Sequence, residues 1–412
     1  MKGVLAENTY HCSKRQESEL TRHQSQDHFN PEFMKNGAES SAVLSDFRGY
    51  VRSQLTNIIL PHAEKWEEQG KVAYRDWMKL AREGLFSFDH TGEGFLRSAI
   101  FLEEVGRLGY SGIRASIGVH AYMARSYLER FGTEEQKEIY LPGIRSGELI
   151  GALAISEADA GSDLRHLGTR AEMVDGRFYK VSGEKLYVTN GTGASFFIVV
   201  ANTRQKPAAS GLTGMGVFIV DGKSQGIYRH PQAMLGWRSA DLCRIEFDEV
   251  NVPLSRLLCR PDRALIQLME ALDFERLVAG LLAVGGIGYC LEQLHSFVHK
   301  HRVRDTPLGA NRAIQHQIAE LDCGYELVRQ YAYHAARVQS DGRLDTRTAS
   351  ILKLKATELE VTAAEKCVQY HGARGYLMDS TSARLYRDAM GGTIAGGASE
   401  LLREMIYELT PP

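Results

Sequence analysis

Ser195-Phe196-Phe197-Ile198-Val199-Val200-Ala201 is a run of aromatic and β-branched residues near the middle of a chain of 412 residues. Such residues favour β-strands, and a second run of this kind follows at Gly216-Val217-Phe218-Ile219-Val220. The segment Cys243-Arg244-Ile245-Glu246-Phe247-Asp248 alternates apolar with polar residues, as a half-buried strand does. Glycine, Asn and Asp punctuate the region in the manner of turns. We therefore predict a β unit over residues 151–259.

Helical patterns flank this β unit on both sides. Before it, Phe101, Val105 and Leu108 lie at i, i+4 and i+7 and form one apolar stripe. Thr133, followed by two acidic residues, is typical of a helix start. After the β unit, a proline-free stretch carries a longer stripe, and its glycines 285, 286 and 288 would allow close helix packing. The predicted order is helices, β unit, helices.

Composition excludes several classes of protein. Hydrophobic residues make up 43% and charged residues 24%, and the net charge is −2, so nothing indicates a nucleic-acid or membrane-surface partner. We expect no membrane span. The six cysteines are scattered without a metal-ligand spacing, which favours reduced, buried thiols and no metal site. Residues 1–42 are polar and have the pattern of neither a secretory signal nor a transit peptide, so a cytoplasmic protein is expected.

Four segments carry motifs. Ile155-Ser156-Glu157-Ala158-Asp159-Ala160-Gly161-Ser162-Asp163 precedes Lys185-Leu186-Tyr187-Val188-Thr189-Asn190, and the pair is more specific than either motif alone. Near the C-terminus lie Gln369-Tyr370-His371-Gly372-Ala373-Arg374-Gly375-Tyr376 and, beginning with Arg387-Asp388-Ala389, a stretch that ends in Thr393-Ile394-Ala395-Gly396-Gly397-Ala398-Ser399-Glu400. With the order of helices and strands, these motifs resemble the acyl-CoA dehydrogenase family over about residues 43 to 408.

The resemblance implies an α+β fold with an N-terminal helical domain, a central β-barrel-like domain and a C-terminal four-helix bundle. These domains are expected at residues 43–150, 151–262 and 263–412, after a polar extension over residues 1–42. The implied enzyme contains FAD and dehydrogenates an acyl thioester held on CoA or on a carrier protein. It would form a homodimer or homotetramer and pass electrons to electron-transfer flavoprotein or to oxygen.

The resemblance also assigns binding residues. A flavin needs neutral hydrogen-bond donors to stabilise charge on reduction, and the first two motifs would supply them. The glycine loop of the third motif would hold the ADP half of FAD across a subunit interface. The predicted FAD-binding residues are Leu153, Ile155, Ser156, Gly161, Ser162, Tyr187, Val188, Thr189, Arg302, Arg312, Gln369, Gly372, Ala373, Ala398 and Glu400. The predicted substrate-binding residues are Ser162, Asp273, Arg276 and Gly397.

The catalytic base is predicted from the absence of a carboxylate at the position where the family usually has one. Most members of the family carry a Glu where this chain has Gly396, and a base that removes a Cα proton needs a carboxylate. Leu272-Asp273-Phe274-Glu275-Arg276-Leu277 resembles the helix on which isovaleryl- and long-chain-type members carry theirs. We therefore predict Glu275 as the base and the Gly396 backbone amide as the donor to the thioester carbonyl. Asp273 would face elsewhere, because positions i and i+2 of a helix point apart.

The sequence also allows several alternatives. Glu275 can be explained as a charged residue in an early helical turn, favoured by the helix dipole. A flavin-dependent monooxygenase or oxidase on the same fold is the alternative activity, and a non-catalytic helical binding protein is a further one. The segment 302–312 lacks the Phe-Gly that the family usually has there. Arg384 and the pair Arg387-Asp388 are expected to form structural ion pairs.

Overall fold

The computed structural model of the chain describes residues 41–203, 214–261 and 263–410. The predicted polar extension therefore lies outside the described residues, apart from its last two positions. The N-terminal part is helical, as predicted, and includes a short π-helical stretch. Its elements are α1 (Ser41–Gln69), α2 (Tyr74–Arg82), α3 (Phe95–Gly106), α4 (Ser111–Gly118), the π-helical stretch Val119–Ala124, α5 (Arg125–Phe131) and α6 (Glu134–Arg145).

Local sequence signals account for these helices. The predicted N-cap of α6 is confirmed: Thr133 Oγ1 accepts the Gln136 amide at 3.2 Å, and Gln136 Oε1 accepts the Thr133 amide at 3.0 Å. The two bonds form a capping box that satisfies both amides. The predicted apolar stripe is also confirmed, because Phe101, Val105 and Leu108 are all buried. Leu108 lies just beyond the end of α3.

The middle of the chain forms a mixed sheet, which confirms the predicted β unit. Its strands are β1 (Gly151–Ala154), β2 (Arg170–Val174), β3 (Phe178–Val188), β4 (Phe196–Asn202), β5 (Met215–Asp221), β6 (Ile227–Pro231), β7 (Cys243–Pro253) and β8 (Leu257–Cys259). The described strands follow the order β6-β7-β3-β2-β4-β5-β8, and β1 pairs in parallel with β4. β4 is buried at 196–201, whereas β7 alternates buried with half-buried or exposed positions over its first six residues.

Helices return after the sheet. They are α7 (Ala264–Lys300), α8 (Arg312–Ser340), α9 (Thr346–His371), α10 (Thr381–Ile394) and α11 (Ser399–Glu408), with the short hairpin β9 (Arg302–Val303) and β10 (Thr306–Pro307) after α7. The glycines of α7 allow close packing as predicted: a Cβ on Gly285 would lie 2.0 Å from the Glu103 carbonyl oxygen of α3. By length and composition α7 alone, among the described helices, is apolar enough to cross a membrane, but 78% of its apolar window is buried in the protein.

One hydrophobic cluster brings α5, β1 and the first half of α7 together. Tyr127, Leu268 and Ala271 are fully buried in it, and the half-buried side chains of Leu153 and Ile155 pack against it. The cluster therefore fixes the loop that follows β1 next to the helical turn that carries Glu275. Of the five cysteines in the described part of the chain, four are buried free thiols as predicted, and Cys323 is exposed.

Candidate active site

Glu275 is a buried carboxylate on α7 with a single hydrogen-bond donor among the described residues. Its side chain lies about three turns after the helix begins at Ala264, so the early-turn explanation is wrong. Glu275 is 7% exposed, and Tyr127 on α5 donates its hydroxyl to Oε1 at 3.0 Å. Burial raises the pKa of Glu275 to about 7, although the Tyr127 hydrogen bond and the Arg276 charge oppose this rise.

Asp273 faces a different neighbour, as predicted from its spacing. Its Oδ1 accepts from Arg276 Nη1 at 2.6 Å, and its Oδ2 accepts from the Thr346 hydroxyl at 2.6 Å at the start of α9. Burial raises the pKa of Asp273, and both partners lower it. The Asp273 carboxylate therefore orients Arg276, whereas Glu275 points towards α5.

The turn between α10 and α11 lies opposite Arg276. Gly396 and Gly397 both have positive φ values, 67° and 101°, in the region that favours glycine. A Cβ on Gly397 would lie 3.8 Å from Arg276 Nε, a buried nitrogen without a hydrogen-bond partner among the described residues. The Gly396 amide likewise has no partner in the described part of the chain. The turn that carries the Gly396 amide thus lies beside Arg276, the residue that follows Glu275 on α7.

Lys353 on α9 is a further residue of this site, and the sequence analysis did not identify it. Its side chain is fully buried, and Nζ donates to the Gly397 carbonyl at 2.5 Å. Burial, together with the nearby Arg276 charge, lowers the pKa of Lys353 to about 8. A lysine between the apolar neighbours Leu352 and Leu354 was the available sequence signal. Tyr127 gave no such signal, because tyrosine is an ordinary residue on a buried helix.

The loop after β1 and the end of β3 offer a second group of donors. The hydroxyls of Ser156, Ser162 and Thr189 have no hydrogen-bond partner among the described residues. Tyr187 is 57% exposed, and its backbone φ of 59° lies in the left-handed region. Gly161 is exposed, and a Cβ added to it would meet nothing within 4 Å. Neutral hydroxyl donors beside an open aromatic ring fit the polar edge and the face of a flavin.

Models of the N-terminal, middle and C-terminal domains of acyl-CoA dehydrogenase match residues 42–148, 152–250 and 265–409. The chain belongs to the acyl-CoA dehydrogenase family. The predicted family and the predicted α+β fold are therefore confirmed. The chain is an oxidoreductase of this flavoprotein family and dehydrogenates acyl thioesters. The exact boundaries of its predicted domains stay predictions.

Three relatives illustrate the match. The chain is 30% identical to the long-chain specific acyl-CoA dehydrogenase of Rattus norvegicus over 367 residues, which are 87% of this chain and 84% of that one. It is 31% identical to the isovaleryl-CoA dehydrogenase of Arabidopsis thaliana over 384 residues, 90% and 92% of the two chains. The solved structure of the prolyl acyl carrier protein oxidase AnaB matches with a TM-score of 0.82 and 27% identity, over 90% of this chain and 99% of that one.

In this acyl-CoA dehydrogenase, the remaining predicted FAD residues do not gather around Glu275. Arg302 follows the end of α7, about 40 Å along the helix from Glu275, and Arg312 begins α8. The other residues at this end of the bundle are Gln369, Gly372 and Ala373, at the exposed end of α9. The residues at this end of the bundle and those beside the loop after β1 are too far apart to bind the same end of one flavin within one chain. The residues at this end therefore stay predictions for a site shared between subunits. Ala398 and Glu400 lie at the start of α11, beside Gly397.

The ion pairs predicted for the fourth motif are only partly present. Arg384 pairs with Glu64 at 2.8 Å, as predicted. The prediction for Arg387 and Asp388 is wrong: Arg387 Nη1 donates to the Met378 carbonyl, and the Asp388 carboxylate accepts backbone amides instead. The reason is geometric, because adjacent residues of α10 point in different directions.

Proposed function

We propose that this dehydrogenase uses Glu275 to remove the Cα proton of its acyl thioester. The single observation that carries the proposal is a buried carboxylate whose pKa is raised to about 7, close to a turn in which Gly396 offers an amide but no side chain. A general base is most effective when its pKa lies near the working pH. Water-exposed Glu side chains titrate near 4.3 and would be weaker bases.

The roles of the protein residues follow from the bonds that change. The Cα–H bond breaks, its proton moves to Glu275, and its electron pair enters the new Cα–Cβ double bond. The negative charge that develops on the thioester oxygen is stabilised by the Gly396 amide, since a preformed donor needs no reorganisation. FAD, when bound, supplies the acceptor for the hydride that leaves Cβ. Arg276 is placed to bind a polar group of the substrate through its unpaired Nε.

We propose that FAD binds against the loop after β1 and the end of β3. Ser156 and Thr189 would donate their free hydroxyls to the flavin, and the exposed Tyr187 ring would cover part of it. Ser162, which is exposed on the same loop, would face the substrate side. In a homodimer or homotetramer, the ADP half of an FAD bound by one subunit would be held by its neighbour. The neighbour's residues for this are Arg302, Arg312 and the loop after α9.

The proposal also covers the kind of thioester carrier and the kind of electron acceptor. Named relatives act on CoA thioesters, and AnaB is an oxidase of a prolyl group on a carrier protein. We therefore propose CoA or a carrier protein as the carrier and electron-transfer flavoprotein or oxygen as the acceptor. The cytoplasm stays a prediction from the sequence pattern of residues 1–42. A monooxygenase acting through reduced flavin and oxygen has no need of a buried base, so Glu275 favours dehydrogenation.

The test is anaerobic reduction of the bound flavin by substrate. Purified FAD-loaded protein is mixed with a panel of acyl-CoA and acyl-carrier-protein thioesters, and the visible flavin absorbance is followed. We expect bleaching by at least one class, and E275Q should slow it by roughly 10²- to 10⁴-fold. E270Q is the matched control, because Glu270 is an exposed residue of the same helix. Bleaching of E275Q at the wild-type rate would rule out the base, and reduction only by an external reductase would rule out the dehydrogenase.

A further inference from the structure

Tyr127 is a buried polar residue for which the catalytic scheme above has no use. Its side chain is fully buried in the cluster that joins α5, β1 and α7. A buried tyrosine hydroxyl needs a hydrogen-bond partner, and most find a carbonyl or water. Here the hydroxyl donates to Glu275 Oε1 at 3.0 Å and to no other group among the described residues.

The tyrosine ring is itself held firmly. Arg125, at the start of α5, donates to the Phe86 carbonyl at 2.7 Å and to Glu129 Oε1 at 2.7 Å. The Tyr127 and Phe131 rings pack edge to face at a centroid distance of 6.1 Å. The hydroxyl therefore projects from a rigid helix, and a hydrogen bond from it can restrict a glutamate that otherwise rotates about three side-chain bonds.

We propose that Tyr127 is a positioning residue that fixes Glu275 Oε1 and so directs Oε2 towards the Cα–H bond of the substrate. This inference rests on the proposed role of Glu275 as the base. It agrees with the hydrogen bonding of the carboxylate, because Oε2 has no partner among the described residues while Oε1 is occupied. A base whose reactive oxygen is already oriented loses less freedom on reaching the transition state.

The hydrogen bond also influences the pKa of Glu275, which burial raises. The charged and titratable groups that face Glu275 are Tyr127 from α5 and Arg276 from α7, and Cys259 on β8 faces Tyr127. Tyr127 stabilises the carboxylate form and lowers the Glu275 pKa, and Arg276 acts in the same direction. Tyr127→Phe removes one of the two groups that lower the Glu275 pKa, so the effect of burial, which raises this pKa, is opposed by Arg276 alone. The Glu275 pKa should therefore rise above its value of about 7.

The experiment is the pH profile of substrate-driven flavin reduction in Y127F. A hydrogen bond to a charged group corresponds to a shift of about one to two pH units, so the rising limb should move upward by that amount. We also expect a lower limiting rate at high pH, while the substrate concentration for half-maximal rate stays unchanged, since Tyr127 is not proposed to contact substrate. A purely structural tyrosine would not move the pH profile.

Y140F is the matched control. Tyr140 is buried in the same cluster, and its hydroxyl has no hydrogen-bond partner among the described residues. We expect the wild-type profile for Y140F. A wild-type profile in Y127F, together with an inactive E275Q, would overturn the role of Tyr127 and leave the base in place. An active E275Q would instead overturn the proposed function itself.

A second measurement applies if Y127F binds FAD poorly. Unfolding of wild type, Y127F, Glu275→Met and the double variant above pH 7 forms a double-mutant cycle that needs neither cofactor nor turnover, and methionine is used because glutamine would keep an acceptor for the Tyr127 hydroxyl. The inference requires the effects of the two single changes to be non-additive. Additive effects would show that the hydroxyl and the carboxylate do not interact, and the positioning role would fall.

Discussion

Lys185 Nζ lies 2.6 Å from Glu157 Oε1, and this buried ion pair joins the loop after β1 to strand β3. The same ammonium group donates to the Ile155 carbonyl at 2.9 Å. Glu157 in turn accepts the backbone amides of Gly168 at 2.6 Å and Thr169 at 3.1 Å. The two segments proposed to bind the flavin are thus fastened to each other by one pair of charges.

Lys185→Met is expected to weaken both the fold and FAD binding. Burial already lowers the pKa of Lys185 to about 8, and the Glu157 charge opposes this effect. Removing the cation leaves Glu157 with amide donors only, and breaking a buried pair costs about 3–5 kcal/mol. We expect a fall of about 3 kcal/mol in the free energy of unfolding and at least a roughly tenfold fall in FAD affinity. Chemical denaturation and fluorescence titration of the apoprotein with FAD measure the two effects.

Lys180→Met, on the same strand, is the control for the loss of a lysine. Lys180 pairs with Glu249 at 3.0 Å, but neither side chain is buried, since they are 39% and 67% exposed. Exposed pairs contribute about 0–1 kcal/mol, so K180M should match wild type in FAD affinity. Equal effects of K180M and K185M would contradict the assignment of a special role to the buried pair.

Lys353→Met is expected to separate stability from activity. The lysine carries its charge in a fully buried position with a carbonyl partner, and its folded-state pKa of about 8 is lower than its ordinary value. Below pH 8 the unfolded chain binds this proton more tightly, so the charge destabilises the fold, and the penalty fades as the pH rises towards 10. At pH 7, K353M should be as stable as wild type or more stable, by up to about 3 kcal/mol.

Activity should change in the opposite direction. Without the bond from Lys353, the Gly396–Gly397 turn loses an anchor, and the rate of substrate-driven flavin reduction should fall roughly tenfold, since misplaced donors stabilise the transition state poorly. K355M, at an exposed position of the same helix, should change neither stability nor rate. A variant K353M that is both less stable and fully active would contradict this role.

The sequence predicted the elements of the site better than their contacts. The β runs, the Thr133 cap and the Glu275 helix depend on neighbours within a few residues, so their patterns are visible in the chain. The partners Tyr127 and Lys353 come from helices far away in sequence, and nothing local specifies which buried side chain meets which. Their contacts depend on tertiary packing, which a single sequence does not display.

The fourth motif shows the same limit more sharply. An Arg-Asp pair invites the prediction of an ion pair, but residues i and i+1 of a helix do not face each other. Asp388 instead accepts the Ser111 amide at 3.1 Å and the Trp237 amide at 2.9 Å. The carboxylate thereby connects α10 with the N-terminal helices and with the middle domain. A role of this kind depends on all three domains and cannot be inferred from one motif.

Asp388→Asn tests this three-way contact. Both carboxylate oxygens accept amides, so an Asn side chain must turn its NH2 group against one of them. Leaving a buried amide unsatisfied costs about 1–3 kcal/mol, and we expect that loss in the free energy of unfolding. D379N, at an exposed position before α10, should have little effect. R387M should also be mild, and a loss in R387M as large as that in D388N would restore the ion-pair interpretation.

Glu275→Gln should make the protein inactive and more stable at alkaline pH. The folded-state pKa of Glu275, about 7, lies above its ordinary value of 4.5, so the folded state holds the proton more tightly than the unfolded state. Wild-type stability from this group is therefore present at low pH and falls as the pH rises from about 4.5 to 7. Glutamine stays neutral, and its carbonyl can still accept the Tyr127 hydroxyl. The variant should exceed wild type by up to about 3 kcal/mol at pH 8, and the difference should vanish near pH 4.

Denaturant unfolding of E275Q and wild type at pH 4, 6 and 8 measures this difference, and E270Q controls for the loss of a negative charge on α7. Glu270 is exposed, so its substitution should leave the pH dependence of stability unchanged. A gain at pH 8 that appears only in E275Q would mean that the chain maintains a destabilising carboxylate in its core. Such a residue is expected where a base is needed for chemistry, because stability alone would favour glutamine. An equal stability of E275Q and wild type at all three pH values would remove this argument for a catalytic Glu275.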